Sequence, residues 1–149
     1  MFSRDYEELF STLNTYKIKY LVIGAHAVAH YTVPRFTKDI DVWIPAALND
    51  VQDVYDALKA FGAPLTGIKP HDFTSAKMIL QIGIAPVRID ILTALPGVDV
   101  AKAWRNRVRS HYGRTRVHIL GRNELMHTKR RTNRPEDQLD LINLQRRIK

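Results

Sequence analysis

The sequence predicts a mixed α+β fold, a small mixed sheet packed by helices within one domain spanning residues 1–149. Three observations predict it. A chain of 149 residues has the length of one domain, and no Pro-, Gly- or Ser-rich tract divides it. A hydrophobic fraction of 45% is enough for a globular core and excludes a disordered tail or a fibre. Segments with helical spacing alternate along the chain with segments of period two, so strands and helices intermingle.

Tyr6, Leu9, Phe10 and Leu13 recur at helical spacing, and Asp5 followed by Glu8 resembles a capping box. Tyr20 to Ile23 is a short apolar run rich in strand formers that ends at Gly24, and Ala25 to His30 is small and helix-compatible. After a loop at Pro34, Asp39 to Ile44 alternates, with Ile40, Val42 and Ile44 on one face and the two aspartates on the other. Val51, Val54, Tyr55, Leu58 and Phe61 form a helical stripe with Asn49 as the expected cap and Gly62 as the terminator. Lys77 to Ile82 and Val87 to Leu92 read as strands. Val100 to Arg109 reads as a helix, Arg116 to Leu120 as a short strand, and Glu124 to Arg131 and Glu136 to Ile148 as helices. No internal repeat is visible.

The absence of cysteine excludes a disulfide scaffold, a thiol nucleophile and a thiolate zinc site, and the expected compartment is a reducing cytoplasm. Neither a signal peptide nor an apolar stretch of membrane-spanning length is present, so no membrane partner is expected. The net charge of +8 is unevenly distributed. Residues 102–149 carry 14 Lys and Arg against four acids, a balance of +10, while residues 1–101 carry −2. Such a split fits either a polyanionic partner on the basic half or a solvated basic surface.

Asp39 and Asp41 lie two apart in a predicted strand, so their carboxylates project to one face, roughly 7 Å apart along the backbone. A divalent cation relieves the repulsion of such a pair, and hard oxygen ligands favour magnesium or manganese over zinc. On spacing alone, the pair fits a metal site or an exposed strand face. Gly24 marks a strand turning into a helix, where backbone amides and the positive helix end can hold phosphate oxygens, although an ordinary tight turn has the same signature. Asp90, on the polar side of an apolar strand, completes a carboxylate triad if its strand lies beside that of Asp39. Otherwise it faces solvent.

Together these residues resemble the nucleotidyltransferases of the DNA polymerase β superfamily: Ile23-Gly24-Ala25, a short helix, Asp39-Ile40-Asp41, then a distant strand aspartate. The chain more closely resembles the bacterial abortive-infection (AbiEii-type) toxin nucleotidyltransferases and their short relatives. That likeness rests on the stretches from Tyr20 to Ala29, Pro34 to Trp43 and Arg88 to Leu92, and on Lys129 with Arg134 to Asp140. It runs from about residue 20 to residue 144.

The resemblance implies a nucleotidyltransferase fold and a transferase that moves a nucleoside monophosphate from an NTP, such as ATP, to a hydroxyl. Asp39, Asp41 and Asp90 would be catalytic and would bind magnesium or manganese, with Asp90 also helping to deprotonate the attacking hydroxyl. Gly24 and Ala25 would cradle the triphosphate, and Lys129 would reach it from the helical end. Arg35, with Thr37 and Lys38, matches the family's approach to the aspartate pair. Asp137 and Asp140 match a family pair at helical spacing, read here with Arg134 as a brace for the last helix. Ala25 stands where the superfamily usually has Gly or Ser, which keeps the amide donor and removes a hydroxyl.

The acceptor implied is an RNA, such as a tRNA 3′ end held by the basic C-terminal half, or a protein. The setting implied is a toxin–antitoxin or phage-defence system with an antitoxin partner. The competing reading is a catalytically silent module of the same fold that binds nucleic acid or a partner protein. His26, Trp43 and Trp104 are expected to pack within the fold, and the six histidines show no zinc spacing.

Overall fold

The computed structural model describes residues 4–32, 39–75, 78–84 and 87–146. Its helices are α1 (Arg4–Thr15), α2 (Gly24–Tyr31), α3 (Val51–Phe61), α4 (Val100–Arg105), α5 (Arg122–Thr132) and α6 (Pro135–Gln145). Its strands are β1 (Leu21–Ile23), β2 (Asp39–Trp43), β3 (Ile79–Ile82), β4 (Arg88–Leu92), β5 (Val108–Tyr112) and β6 (Thr115–Ile119). They form one mixed sheet in the order β3-β4-β2-β1-β6-β5.

α1 buries the four residues whose spacing predicts it, Tyr6, Leu9, Phe10 and Leu13. Phe10 stacks on Tyr20 with ring centroids 5.7 Å apart, joining α1 to the chain entering β1. Burying apolar side chains of this size contributes about 1.5–3 kcal/mol each. The inward face of the sheet alternates as the sequence requires, with Ile40 and Val42 in β2 and Ile89 and Ile91 in β4 buried.

Register matters more than content for the site. β2 and β4 run parallel, with Asp39 opposite Arg88 and Asp41 opposite Asp90. β1 runs antiparallel to β2 and sets Ile23 opposite Asp41. A slip of one residue between β2 and β4 would send Asp90 to the opposite face from Asp39 and Asp41, and a slip between β1 and β2 would part the carboxylates from the Gly24 turn.

Several local expectations are corrected. The cap of α3 is Asp50, whose carboxylate accepts from the amides of Gln52 and Asp53. Asn49 instead bonds both backbone groups of Lys19 and the Pro45 carbonyl, pinning the start of β1. The helix expected over Val100 to Arg109 ends at Arg105, and Val108 begins an edge strand that pairs antiparallel with β6. The hairpin closes at Gly113, where φ is +61°. The polar segment Arg109-Ser110-His111 lacks the apolar alternation that marks a strand, which is why its pattern misleads. The strand expected from Lys77 is seen from Ile79, and residues 76 and 77 lie outside the described residues. Among the described residues, no helix is long and apolar enough to cross a membrane.

Candidate active site

β1 delivers the chain to Gly24, where φ is +69°, and α2 starts at this residue rather than at Ala25. Two constraints make glycine necessary. The backbone is left-handed, and a Cβ built there would overlap Asp41 Oδ2. The N-terminal turn of α2 is therefore pressed against the Asp41 carboxylate, a contact possible only without a side chain.

Asp39, Asp41 and Asp90 occupy the same sheet face, since Asp41 and Asp90 are register partners and Asp39 lies two residues before Asp41. The crowding is visible in their chemistry. Burial, then Asp90 and Asp39, push the Asp41 carboxyl up to about 6, against the opposing pull of Arg88 and Lys129. Arg88 Nη2 lies 3.2 Å from Asp39 Oδ2 and 3.1 Å from Asp90 Oδ2. One guanidinium thus bridges two of the three carboxylates.

The other oxygens of that pair, Asp39 Oδ1 and Asp90 Oδ1, are buried without a hydrogen-bond partner among the described residues. Unsatisfied anionic oxygens beside a third carboxylate suit a hard divalent cation in donor type. Among the described residues, no group of three or more His, Asp or Glu is drawn together closely enough to hold a metal as it stands. Arg88 satisfies one oxygen each of Asp39 and Asp90.

Around this centre, the Tyr6 hydroxyl donates to the Arg88 carbonyl at 3.1 Å, tying α1 to β4. Burial and the charge of Asp39 push that phenol up to about 12, so it remains a donor. His26 packs edge-on to Tyr6 at 5.7 Å, and burial lowers its pKa, in keeping with a packed histidine. Trp43 is buried as expected, whereas Trp104 is only partly so, with the Arg107 guanidinium 3.9 Å above its ring.

Lys129 is buried in α5, its ammonium 3.3 Å from Asp137 Oδ1 and 3.1 Å from Asp140 Oδ2. Arg134 grips Asp137 through Nε at 3.0 Å and Nη2 at 3.2 Å, and its backbone amide also donates to that carboxylate. Together with the Thr132 hydroxyl, these contacts hold Asp137 far below the usual carboxylate range. The expected brace of Arg134 and Asp137 is thus present. The sequence does not reveal that Lys129 sits at its centre, because residues eight and eleven positions apart on two helices meet only through the α5–α6 turn. Arg35, Thr37 and Lys38 lie outside the described residues.

No curated protein matches this chain at significant similarity. Among solved structures, the lincosamide antibiotic adenylyltransferase LnuA is similar, with a TM-score of 0.61, 14% identity and 96% of each chain covered. The antibiotic-resistance factor ANT(2'')-Ia is similar with a TM-score of 0.61 and 9% identity, over 94% of this chain and 80% of that one. A nucleotidyltransferase-like protein from Paracoccidioides brasiliensis has a TM-score of 0.60 and 16% identity, over 96% of this chain and 77% of that one. At these identities the likeness is one of fold. The sequence itself matches the family described as nucleotidyl transferase of unknown function (DUF2204) over residues 2–149, and the chain belongs to that nucleotidyl transferase family.

Proposed function

We propose that the protein transfers a nucleoside monophosphate from an NTP to a hydroxyl on an RNA acceptor such as a tRNA 3′ end, in a magnesium-dependent reaction. The observation that carries this reading is the placement of Asp39, Asp41 and Asp90 on one sheet face beside the left-handed Gly24 turn. In this scheme the three carboxylates hold magnesium or manganese, which when bound supplies charge neutralisation at the triphosphate and a lowered pKa at the attacking hydroxyl. Gly24 and the Ala25 amide orient the triphosphate at the start of α2, with Arg35 as a further phosphate contact. Asp90 accepts the proton as the hydroxyl oxygen bonds the α-phosphorus and the bond to pyrophosphate breaks. Lys129, seated between Asp137 and Asp140, adds positive field at the centre, where it already acts on Asp41.

An anionic acceptor is favoured by the +10 balance of residues 102–149. Such a surface would repel a polycationic small molecule and would hold a phosphate backbone. The abortive-infection likeness extends the reading to a toxin–antitoxin or defence role in a bacterial cytoplasm. The test is to incubate the protein with each labelled NTP, magnesium, total tRNA and cell lysate. RNA that becomes labelled, with loss of labelling in Asp90→Asn, supports the reading. Labelled protein alone replaces the acceptor class, and no labelling with any NTP leaves the catalytically silent module as the better account.

A further inference from the structure

At the opposite end of the strands from Gly24 lies an open groove of about 530 Å³ between the α1–β1 connection and the β5–β6 hairpin. Four cations line it, Lys17, Lys19, Arg109 and Arg116, with Trp104 and His118 contributing ring surface. No aspartate or glutamate is among its lining residues, and no ion pair neutralises any of the four cations among the described residues. The register explains the concentration: Arg109 pairs with His118 and His111 with Arg116, so both cross-strand pairs share one face of the edge hairpin. Arg109 and Arg116 are thereby diagonal neighbours on that face, and an anionic partner would relieve the repulsion between them.

The chemistry of the walls narrows the partner. The Arg107 guanidinium lies 3.9 Å above the Trp104 ring, and Lys19 approaches the same ring at 5.9 Å. His118 is held neutral, its pKa pushed down to about 4 by burial and by Arg107, Arg109 and Arg116, and its Nδ1 is buried without a hydrogen-bond partner among the described residues. Asn14, Ser110 and His111 add polar groups to the lining. The exposed large hydrophobics among the described residues, Tyr16 next to Lys17, Ile79 and Ile84 near β3, and Leu139 and Ile142 on α6, are not among the groove's lining residues. Ile18, Trp104 and Val117 set apolar and ring surface between the cations, and guanidinium, ammonium and ring surfaces together suit phosphates joined to bases.

We propose that this groove is an anchoring site for the phosphodiester backbone of a single-stranded RNA segment. The inference rests on the RNA-acceptor reading and adds where the acceptor is held. Lys19 precedes Ile23, the register partner of Asp41, by four residues, which places the groove about 13 Å along the strand direction from the carboxylates. The groove therefore lies apart from the carboxylates that the proposed reaction assigns to the triphosphate. It serves an acceptor long enough to reach from the hairpin to the centre, so oligonucleotide acceptors gain from it and mononucleotides do not.

The test measures binding of a short labelled single-stranded RNA by fluorescence anisotropy across a salt series, with NTP binding followed separately by equilibrium dialysis. Arg109 and Arg116 are exposed on the edge hairpin, so Arg109→Glu/Arg116→Glu should fold, as circular dichroism will verify. The expected result is at least a tenfold loss of RNA affinity, a salt slope shallower by about 1.4, and unchanged NTP binding. Arg130→Glu/Arg131→Glu, on exposed positions of α5, should retain most of the affinity. RNA binding that survives the hairpin substitutions overturns the groove assignment while leaving an RNA acceptor intact. Failure of the wild type to bind RNA under any salt condition overturns both. Competition by polyglutamate as effective as that by RNA also overturns the proposal, because the groove would then be a general polyanion surface.

Discussion

Replacing Asp41 by Asn should stabilise the metal-free protein at neutral pH while abolishing transfer. The Asp41 carboxyl is raised from 3.8 to about 6 by burial and by Asp90 and Asp39. Because the folded state holds this proton more tightly than the unfolded state, the associated stability is fully present below the unfolded pKa. It is lost as the pH rises through the folded value. At about 1.4 kcal/mol per unit, the ceiling is about 3 kcal/mol at neutral pH, and solvent access to the site reduces the expected effect to about 1–2 kcal/mol. Urea unfolding in EDTA should therefore give the variant a higher midpoint than the wild type near about pH 7.5, with the gap closing towards about pH 4. Magnesium should raise the wild-type midpoint more than that of the variant. A variant less stable than wild type in EDTA at neutral pH, or one that still transfers nucleotide, would refute the reasoning and make Asp41 a structural residue.

Gly24→Ala should cost about 1–3 kcal/mol in urea unfolding, because it forces a side chain into φ +69° and against Asp41, and it should abolish NTP binding. Arg88→Gln removes the bridge between Asp39 and Asp90. The metal-free protein should lose stability at neutral pH, while Mn²⁺ affinity, read by electron paramagnetic resonance, should rise several-fold; unchanged affinity would mean that Arg88 does not compete with the metal. Asp137→Asn leaves Lys129 and Arg134 short of a buried anion and should cost about 3–5 kcal/mol, most of it already lost in wild type under strongly acidic conditions, where Asp137 is protonated.

The fold was legible where burial is one-sided. In β2 and β4 the apolar residues alternate with charged ones, so a two-residue period marks both strand and inward face. In α1 and α3 a stripe of large apolar residues marks the buried side. β5 carries no such signal, since Val108-Arg109-Ser110-His111-Tyr112 is an edge strand with no buried residue, and its place is fixed by pairing with β6 rather than by its own pattern. The capping of α3 by Asp50 instead of Asn49 reflects a tertiary competition, because Asn49 is engaged by Lys19 and Pro45. Local chemistry alone rates the two residues as equivalent caps.

The site divides along the same line. That the three carboxylates share a face beside Gly24 could be read from the sequence, because each breaks an apolar pattern at a place the strand period identifies. The ion arrangement could not, because it depends on which charges meet across the sheet and between α5 and α6. Arg88 reads as an ordinary polar-face residue, yet register sets it opposite Asp39 and two residues before Asp90, so that one cation serves two anions. Lys129 reads as the first of three consecutive cations, yet it alone of Lys129, Arg130 and Arg131 turns inward, onto Asp137 and Asp140. The two cations stand in different relations to the centre. Arg88 is about one-third exposed, so solvent lies within its reach, and the proposed reaction would need it to give way to another cation between the carboxylates. Lys129, enclosed by two buried carboxylates, cannot leave without stranding both, so its positive field is a fixed property of the fold. Under the proposed reaction, a centre that joins a fixed cation to a displaceable one would remain folded without metal and would yield its carboxylates when metal and triphosphate arrive together.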